Sequence, residues 1–158
     1  MVQRVGLIGL GVMGTAMSGH LIDAGFEVSG FDIDASRMDA LAAAGGHPRS
    51  RAAEVAENAD LVLLALPSVE ALDDASAGVA AGAHPGLIVA EMGVFPVSAK
   101  QRARDLLAGA GVELMDVPVS GTGLQAADAT LVVMASGSKE AFEATSAVFE
   151  VIGRTTYY

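Results

Sequence analysis

The 158-residue sequence lacks cysteine and tryptophan, and only 4% of its residues are aromatic. Without cysteine the chain can form no disulfide framework and perform no thiol chemistry, which fits a reducing compartment. We therefore expect a cytoplasmic location. Basic residues are also scarce, since 9 lysines and arginines stand against 19 acidic residues and give a formal net charge of −10. This charge opposes attraction to a nucleic acid backbone, so we expect no nucleic-acid partner.

Long apolar runs and metal-ligand patterns are missing as well. No apolar stretch approaches the roughly 20 residues that a membrane-spanning helix needs, so we expect no membrane partner. The histidines are scattered at His20, His47 and His84 without metal-ligand spacing, so we expect no metal. Apolar residues are abundant, since 52% of the residues are hydrophobic and only 18% are charged. These proportions predict one globular domain over residues 1–158.

Strand and helix patterns alternate along the chain. The predicted strands are Arg4–Ile8, Glu27–Phe31, a short segment near His47, Asp60–Leu66, Gly86–Ala90, Val112–Met115, Thr130–Ala135 and Arg154–Tyr158. The predicted helices are Val12–Ala24, Asp34–Ala44, Arg51–Glu57 with Ser50 as its cap, Val69–Ala81, Pro96–Ala108, one segment in the loop Pro118–Ala129, and Lys139–Ile152. Such alternation predicts an α/β fold, a doubly wound and mostly parallel sheet of the Rossmann type with helices on both faces.

A glycine-rich motif follows the first predicted strand and opens the first predicted helix. It runs Gly9-Leu10-Gly11-Val12-Met13-Gly14. The first glycine permits a tight turn, the second allows the backbone to approach a pyrophosphate, and the third lets the helix pack on the strand. The free N–H groups of the helix then bind the anion. We therefore predict a dinucleotide-binding site over residues 9–14.

An acidic residue, Asp32, ends the second predicted strand. A carboxylate at this point can accept hydrogen bonds from the ribose hydroxyls of NAD and would repel the additional phosphate of NADP. The next residue is Ile33 rather than arginine, so no partner for that phosphate is evident. The sequence favours NAD over NADP as the cofactor. Asp34, in contrast, is better interpreted as a helix cap.

Two further motifs follow predicted strands. Leu66-Pro67-Ser68 ends the most apolar strand and is expected to face the cofactor, because ligands of doubly wound sheets bind at the carboxyl ends of strands. Ser68 can also cap the following helix. Asp116-Val117-Pro118-Val119-Ser120-Gly121 offers a hydroxyl at Ser120 and an unhindered backbone N–H at Gly121. This pair could hold a substrate carboxylate or hydroxyl.

Together these motifs resemble the β-hydroxyacid dehydrogenase family, which includes 3-hydroxyisobutyrate and 6-phosphogluconate dehydrogenases. The resemblance covers the whole chain, including Leu131 and the turn Gly137-Ser138-Lys139. It implies an N-terminal domain that binds NAD(P) and a substrate loop at Ser120, Gly121 and Thr122. The implied reaction is reversible hydride transfer between nicotinamide and a small hydroxy acid.

The sequence departs from the family pattern at several positions. Glu91-Met92-Gly93-Val94 stands where the family has an acidic residue followed by a Ser-Thr-type pair, and Thr122 and Ala129 replace family glycines. The family's catalytic lysine lies beyond the Rossmann domain, on a helix that leads into a helical second domain. Neither that lysine nor that domain has a match in residues 1–158. We expect Lys100 and Lys139 to be solvated, and any homodimer to form chiefly through the second domain.

Three functions remain open at this point. The first is the cofactor domain of a hydroxyacid dehydrogenase, inactive without the second domain. The second is the related imine reductase group, which acts on C=N bonds. The third is a non-catalytic module that binds a dinucleotide or a protein partner.

Overall fold

Residues 2–158 are described by a computed structural model with nine strands and seven helices, which alternate except at the two successive strands Glu113–Asp116 and Val119–Ser120. The strands are β1 (Arg4–Ile8), β2 (Glu27–Phe31), β3 (His47–Pro48), β4 (Leu61–Leu64), β5 (Ile88–Glu91), β6 (Glu113–Asp116), β7 (Val119–Ser120), β8 (Leu131–Met134) and β9 (Gly153–Tyr157). The helices are α1 (Val12–Asp23), α2 (Ala35–Ala43), α3 (Ala52–Glu57), α4 (Val69–Ala81), α5 (Val97–Gly109), α6 (Gly123–Ala127) and α7 (Lys139–Ile152). No helix within residues 2–158 has the length and apolar character needed to cross a membrane.

The larger sheet has six parallel strands in the order β3-β2-β1-β4-β5-β6. The chain winds outward from β1 in one direction through β2 and β3, and then in the other through β4, β5 and β6. This confirms the predicted doubly wound Rossmann fold. The order reverses between β1 and β4, and such a switch point opens a crevice at the carboxyl ends of the strands.

Side chains that alternate along the central strands fill two separate cores. In β4, Leu61 and Leu63 belong to one core while Val62 and Leu64 belong to the other, and all four are fully buried. The first core is covered by α1, α2 and α7, and the second by α3, α4 and α5. Burial on both faces explains why β4 is a continuous apolar run.

A smaller sheet accompanies the first and was not predicted. In it β7 pairs antiparallel with β8, which pairs in parallel with β9. The segment Pro118–Ala129, predicted as a loop with one helical segment, therefore contains a two-residue strand as well as α6. An isolated bridge between Asp116 and Ser136 connects the end of β6 to this sheet.

The predicted helix caps have different outcomes. Asp34 accepts a hydrogen bond from the Ser36 N–H and caps α2, as predicted. The prediction that Ser50 caps α3 is wrong, because Arg51 occupies the cap position. The Ser50 hydroxyl and N–H instead donate to the Glu54 carboxylate, one turn into the helix.

Candidate cofactor-binding site

The glycine turn between β1 and α1 depends on two close backbone approaches. Gly9 has a φ of +92°, which L side chains rarely adopt, and a Cβ there would overlap the carbonyl oxygen of Ala65. A Cβ on Gly14 would overlap the carbonyl oxygen of Gly9. The first and third glycines of the motif are therefore required by the packing of the turn itself.

Gly11 differs from both, because its surroundings are open. Within residues 2–158, the one atom that a Cβ on Gly11 would approach within 4 Å is the Nη1 of Arg37, at 3.6 Å. Its φ of −67° and ψ of −162° suit any residue. Among the described residues no side chain caps α1, and its first turn carries no acid. The N–H groups and the positive dipole end of the helix consequently face free space, as a phosphate site requires.

Asp32 is bound to the glycine turn rather than solvated. Its side chain is 6% exposed, and its Oδ2 accepts the N–H of Leu10 at 2.7 Å. Its Oδ1 accepts the N–H of Asp34 at 2.9 Å. A carboxylate has about four acceptor positions, and since Arg37 Nη1 also donates to Oδ2, one position on Oδ1 remains for a ribose hydroxyl. The carboxylate thus holds the turn in place and lies beside the cleft described below.

Arg37 was overlooked by the sequence interpretation, which looked for a cation only directly after Asp32. Its Nη1 lies 3.3 Å from Asp32 Oδ2, and its Nε lies 3.5 Å from Asp34 Oδ2. The side chain is about half exposed and lines the cleft. The sequence could have indicated this position, because residue 37 lies in the first turn of a helix that starts at residue 35, close to the end of the preceding strand.

A cleft of about 800 Å³ opens along the carboxyl ends of the central strands. Its wall includes the glycine turn, Asp32, Leu66, Pro67, the segment 92–94, Val119 and Gly121. Residues from three of the predicted motifs are therefore brought together. Ser68 lies at the start of α4, where its hydroxyl accepts the N–H of Ala71 at 3.2 Å, so its helix-cap role is confirmed.

The predicted substrate loop contributes Val119 and Gly121 to the wall of this cleft. Ser120 is exposed, and Gly121 lines the cleft, where a Cβ would come within 2.6 Å of the Leu131 side chain. Thr122 caps α6 in a reciprocal arrangement, in which its hydroxyl and its N–H both bond to Gln125. The Thr122 hydroxyl is thus already partly used.

The same loop packs on the first helix. A Cβ on Gly123 would come within 2.7 Å of Val12. Farther along, the His20 ring forms a 3.0 Å hydrogen bond with the carbonyl oxygen of Ala126. The loop that follows β7 is therefore attached to α1 at two points.

Lys100 is not solvated, and that prediction was wrong. Its Nζ lies 2.7 Å from Glu91 Oε2 and 2.5 Å from Asp116 Oδ1, and its side chain is only 16% exposed. It also donates to the carbonyl oxygen of Gly93 at 2.7 Å. The two acids end neighbouring strands, so their pairing could have been anticipated from the parallel sheet. Lys139 is 73% exposed, as expected.

Glu91 is the fully buried member of this group. Burial raises the pKa of its carboxyl, against the opposing effect of Lys100 and of the Gly93 N–H. Desolvation lowers the pKa of Lys100, but hydrogen bonds and charge from Asp116 and Glu91 outweigh it and raise that pKa overall. Lys100 is therefore held in its charged form and is unsuited to exchange a proton near neutral pH.

The fold and this arrangement of motifs match a known family. The family described as the NAD binding domain of 6-phosphogluconate dehydrogenase matches residues 4–158. The chain belongs to this family. It is an NAD-binding domain of the type found in hydroxyacid dehydrogenase oxidoreductases.

Individual relatives agree with this assignment. The NAD-dependent L-serine dehydrogenase of Pseudomonas aeruginosa is 33% identical over 159 residues, which cover 99% of this chain and 53% of the relative. The structure of Mycobacterium tuberculosis 3-hydroxyisobutyrate dehydrogenase with L-serine superposes with a TM-score of 0.93 at 30% identity, covering 99% of this chain and 54% of that one. A Streptomyces aurantiacus imine reductase gives a TM-score of 0.85 at 27% identity, with coverage of 99% and 55%. The chain spans about half the length of these relatives.

Proposed function

We propose that residues 1–158 form the cofactor-binding domain of an oxidoreductase that transfers a hydride between NAD and a small hydroxy acid. The observation that carries the proposal is the open space at Gly11, in front of an uncapped helix and between two glycines that packing requires. A turn built only for packing would not need a glycine at position 11. Packing accounts for Gly9 and Gly14, and a pyrophosphate in the open space accounts for Gly11.

The roles of the other site residues follow from their positions around the cleft. The backbone of residues 9–14 would bind the pyrophosphate, and Asp32 would accept hydrogen bonds from the adenosine ribose. Leu66 and Pro67 would cover the cofactor from β4. Ser120 and the N–H of Gly121 would hold the substrate, with Thr122 shaping that loop.

Catalysis would need a general acid or base that these residues do not supply. Hydride transfer from an alcohol carbon requires a base that takes the hydroxyl proton, and the reverse transfer to a carbonyl carbon requires an acid that protonates the oxygen. The two lysines of the chain, Lys100 and Lys139, do not line the cleft, and Lys100 is bound to two carboxylates. We therefore expect this chain to bind NAD and to turn over hydroxy acids very slowly, with catalysis drawing on a second domain.

A calorimetric titration with NADH and NADPH tests the cofactor role, and a turnover assay with a panel of 3-hydroxy acids tests the activity. We expect both nucleotides to bind, with NADH preferred. Absence of binding to either would contradict the proposal and favour a module that interacts with a protein partner.

Reduction of C=N bonds is the second candidate. It is supported by the apolar segment Met92-Gly93-Val94, which offers the cleft no hydroxyl, and by the similarity to an imine reductase. A longer parent chain that reduces a cyclic imine but oxidises no 3-hydroxy acid would favour this alternative.

A further inference from the structure

We propose that Lys100 is a positioning residue for the nicotinamide half of the cofactor. It fixes, from behind, the segment 92–94 that forms one wall of the cleft. The inference rests on the proposed function, because it requires a dinucleotide in that cleft.

The place of the nicotinamide half follows from the strand order. The phosphate site lies at the end of β1, and Asp32 marks the ribose of the adenosine half at the end of β2. A dinucleotide that crosses the switch point must therefore extend its other half over β4 and β5. The cleft wall there is formed by Leu66, Pro67 and the segment 92–94.

The position of this wall is fixed by hydrogen bonds of the Gly93 N–H and of the Gly93 carbonyl oxygen. The Gly93 N–H donates to Glu91 Oε1 at 2.6 Å, and its carbonyl oxygen accepts from Lys100 Nζ at 2.7 Å. Both polar groups of Gly93 are thus used behind the wall. The cleft is left with apolar groups at Met92 and at Val94, which is 86% exposed. An apolar wall is suited to one face of a nicotinamide ring.

Lys100 is the residue that holds this arrangement together. From the first turn of α5 it reaches the carboxylates that end β5 and β6 as well as the Gly93 carbonyl. Without the ammonium group, the Gly93 carbonyl loses its donor and the buried Glu91 loses its ion-pair partner. The segment 92–94 could then leave its present position, while the glycine turn and Asp32 stay in place.

The test compares NADH with ADP-ribose, which has the same adenosine and phosphates but no nicotinamide. Both are titrated by calorimetry into the intact 158-residue chain. For Lys100→Met we expect NADH affinity to fall at least about fivefold and ADP-ribose affinity to change less than about twofold. The fluorescence of bound NADH should shift toward that of the free nucleotide. Lys100→Arg keeps the charge and should retain most of the NADH affinity.

Arg102→Met is the matched control, since Arg102 lies on the same helix and its side chain is 55% exposed in an ion pair with Asp73. It should change neither affinity. If thermal unfolding shows that Lys100→Met does not fold, Asp116→Asn removes one partner of Lys100 at a half-exposed position and should give a smaller loss confined to NADH.

Equal losses for NADH and ADP-ribose would overturn the inference, because they would indicate a general structural role. An unchanged NADH affinity, or a wild-type chain that binds the two ligands equally well, would overturn it too. These results leave the proposed function intact, since ADP-ribose still binds the wild type. A wild-type chain that binds neither ligand would refute both.

Discussion

Replacement of Gly11 by alanine separates the demands of folding from those of nucleotide binding. In the free protein the new methyl group meets open space, and the backbone angles of Gly11 suit alanine. A Gly→Ala change at a compatible position stabilises by about 0.4–1 kcal/mol, because the unfolded chain loses conformational freedom. In a domain of this size that corresponds to a rise in Tm of roughly 1–4 °C.

The same methyl group would occupy the space that we assign to the pyrophosphate. A displaced phosphate loses at least one hydrogen bond to a charged group, which contributes about 1.5–3 kcal/mol. We therefore expect the affinities for NADH and ADP-ribose to fall by roughly tenfold to a hundredfold. Calorimetry measures the affinities, and differential scanning calorimetry measures Tm on the same samples.

Two alanine variants serve as controls on the same helix. At Gly14 the methyl group would overlap the Gly9 carbonyl oxygen, so α1 must move. We expect the free energy of unfolding to fall by about 3 kcal/mol, which is the upper end of the range for overpacking. At Gly19 a Cβ meets nothing within 4 Å, so we expect a gain of up to about 1 kcal/mol with unchanged affinity. Unchanged nucleotide affinity in a folded Gly11→Ala variant would refute the phosphate assignment.

Three further results are expected. Arg37→Glu should weaken NADPH binding by about tenfold and NADH binding by less than threefold in calorimetric titrations, because the Arg37 guanidinium lines the cleft beside Asp32, where a 2′-phosphate would bind. Equal losses for both nucleotides would contradict this. Partial burial raises the pKa of Asp60, but hydrogen bonds from the Arg4 side chain and from backbone N–H groups outweigh it and lower that pKa to about 2. Its stabilising effect is therefore present above about pH 4 and is lost as the pH falls toward 2. Asp60→Asn should lower the free energy of unfolding by about 1 kcal/mol near neutral pH and should reduce its dependence on pH between about pH 4 and pH 2. An unchanged acid unfolding curve would argue against this ion pair. Ala129→Gly should raise Tm by about 2–4 °C, since a φ of +51° strains alanine by about 1 kcal/mol, and a lower Tm would show that the strain is small.

Much of the larger sheet could be predicted because local signals coincide with burial. The strands Arg4–Ile8 and Glu27–Phe31 and the helices Val69–Ala81 and Lys139–Ile152 have their predicted bounds. Both helices follow a serine that caps them, so the chain marks their first turn locally. The smaller sheet could not be predicted in this way, because the two residues of β7 become a strand only by pairing with β8 across α6.

The candidate site shows the same division. The glycine turn and Asp32 were predicted to bind parts of one dinucleotide, and the structure joins them directly through the 2.7 Å hydrogen bond from the Leu10 N–H to Asp32 Oδ2. The ion pairs of Lys100 were missed because Glu91 and Asp116 lie 9 and 16 residues away, although each directly follows a predicted strand of the parallel sheet. The sequence pattern places both acids at the carboxyl ends of strands, but it does not show that the first turn of α5 brings Lys100 between them.

The contact between Gly123 and Val12 has a consequence for changing the chemistry of this protein. Libraries that redesign the loop around Ser120, which we propose to hold the substrate, cannot treat it as an independent module, because a larger residue at position 123 pushes directly on the first residue of α1. We therefore expect such variants to bind nucleotide more weakly. Selection for altered substrate choice is therefore expected to retain glycine at position 123, or to acquire a smaller residue at position 12 as its compensating change.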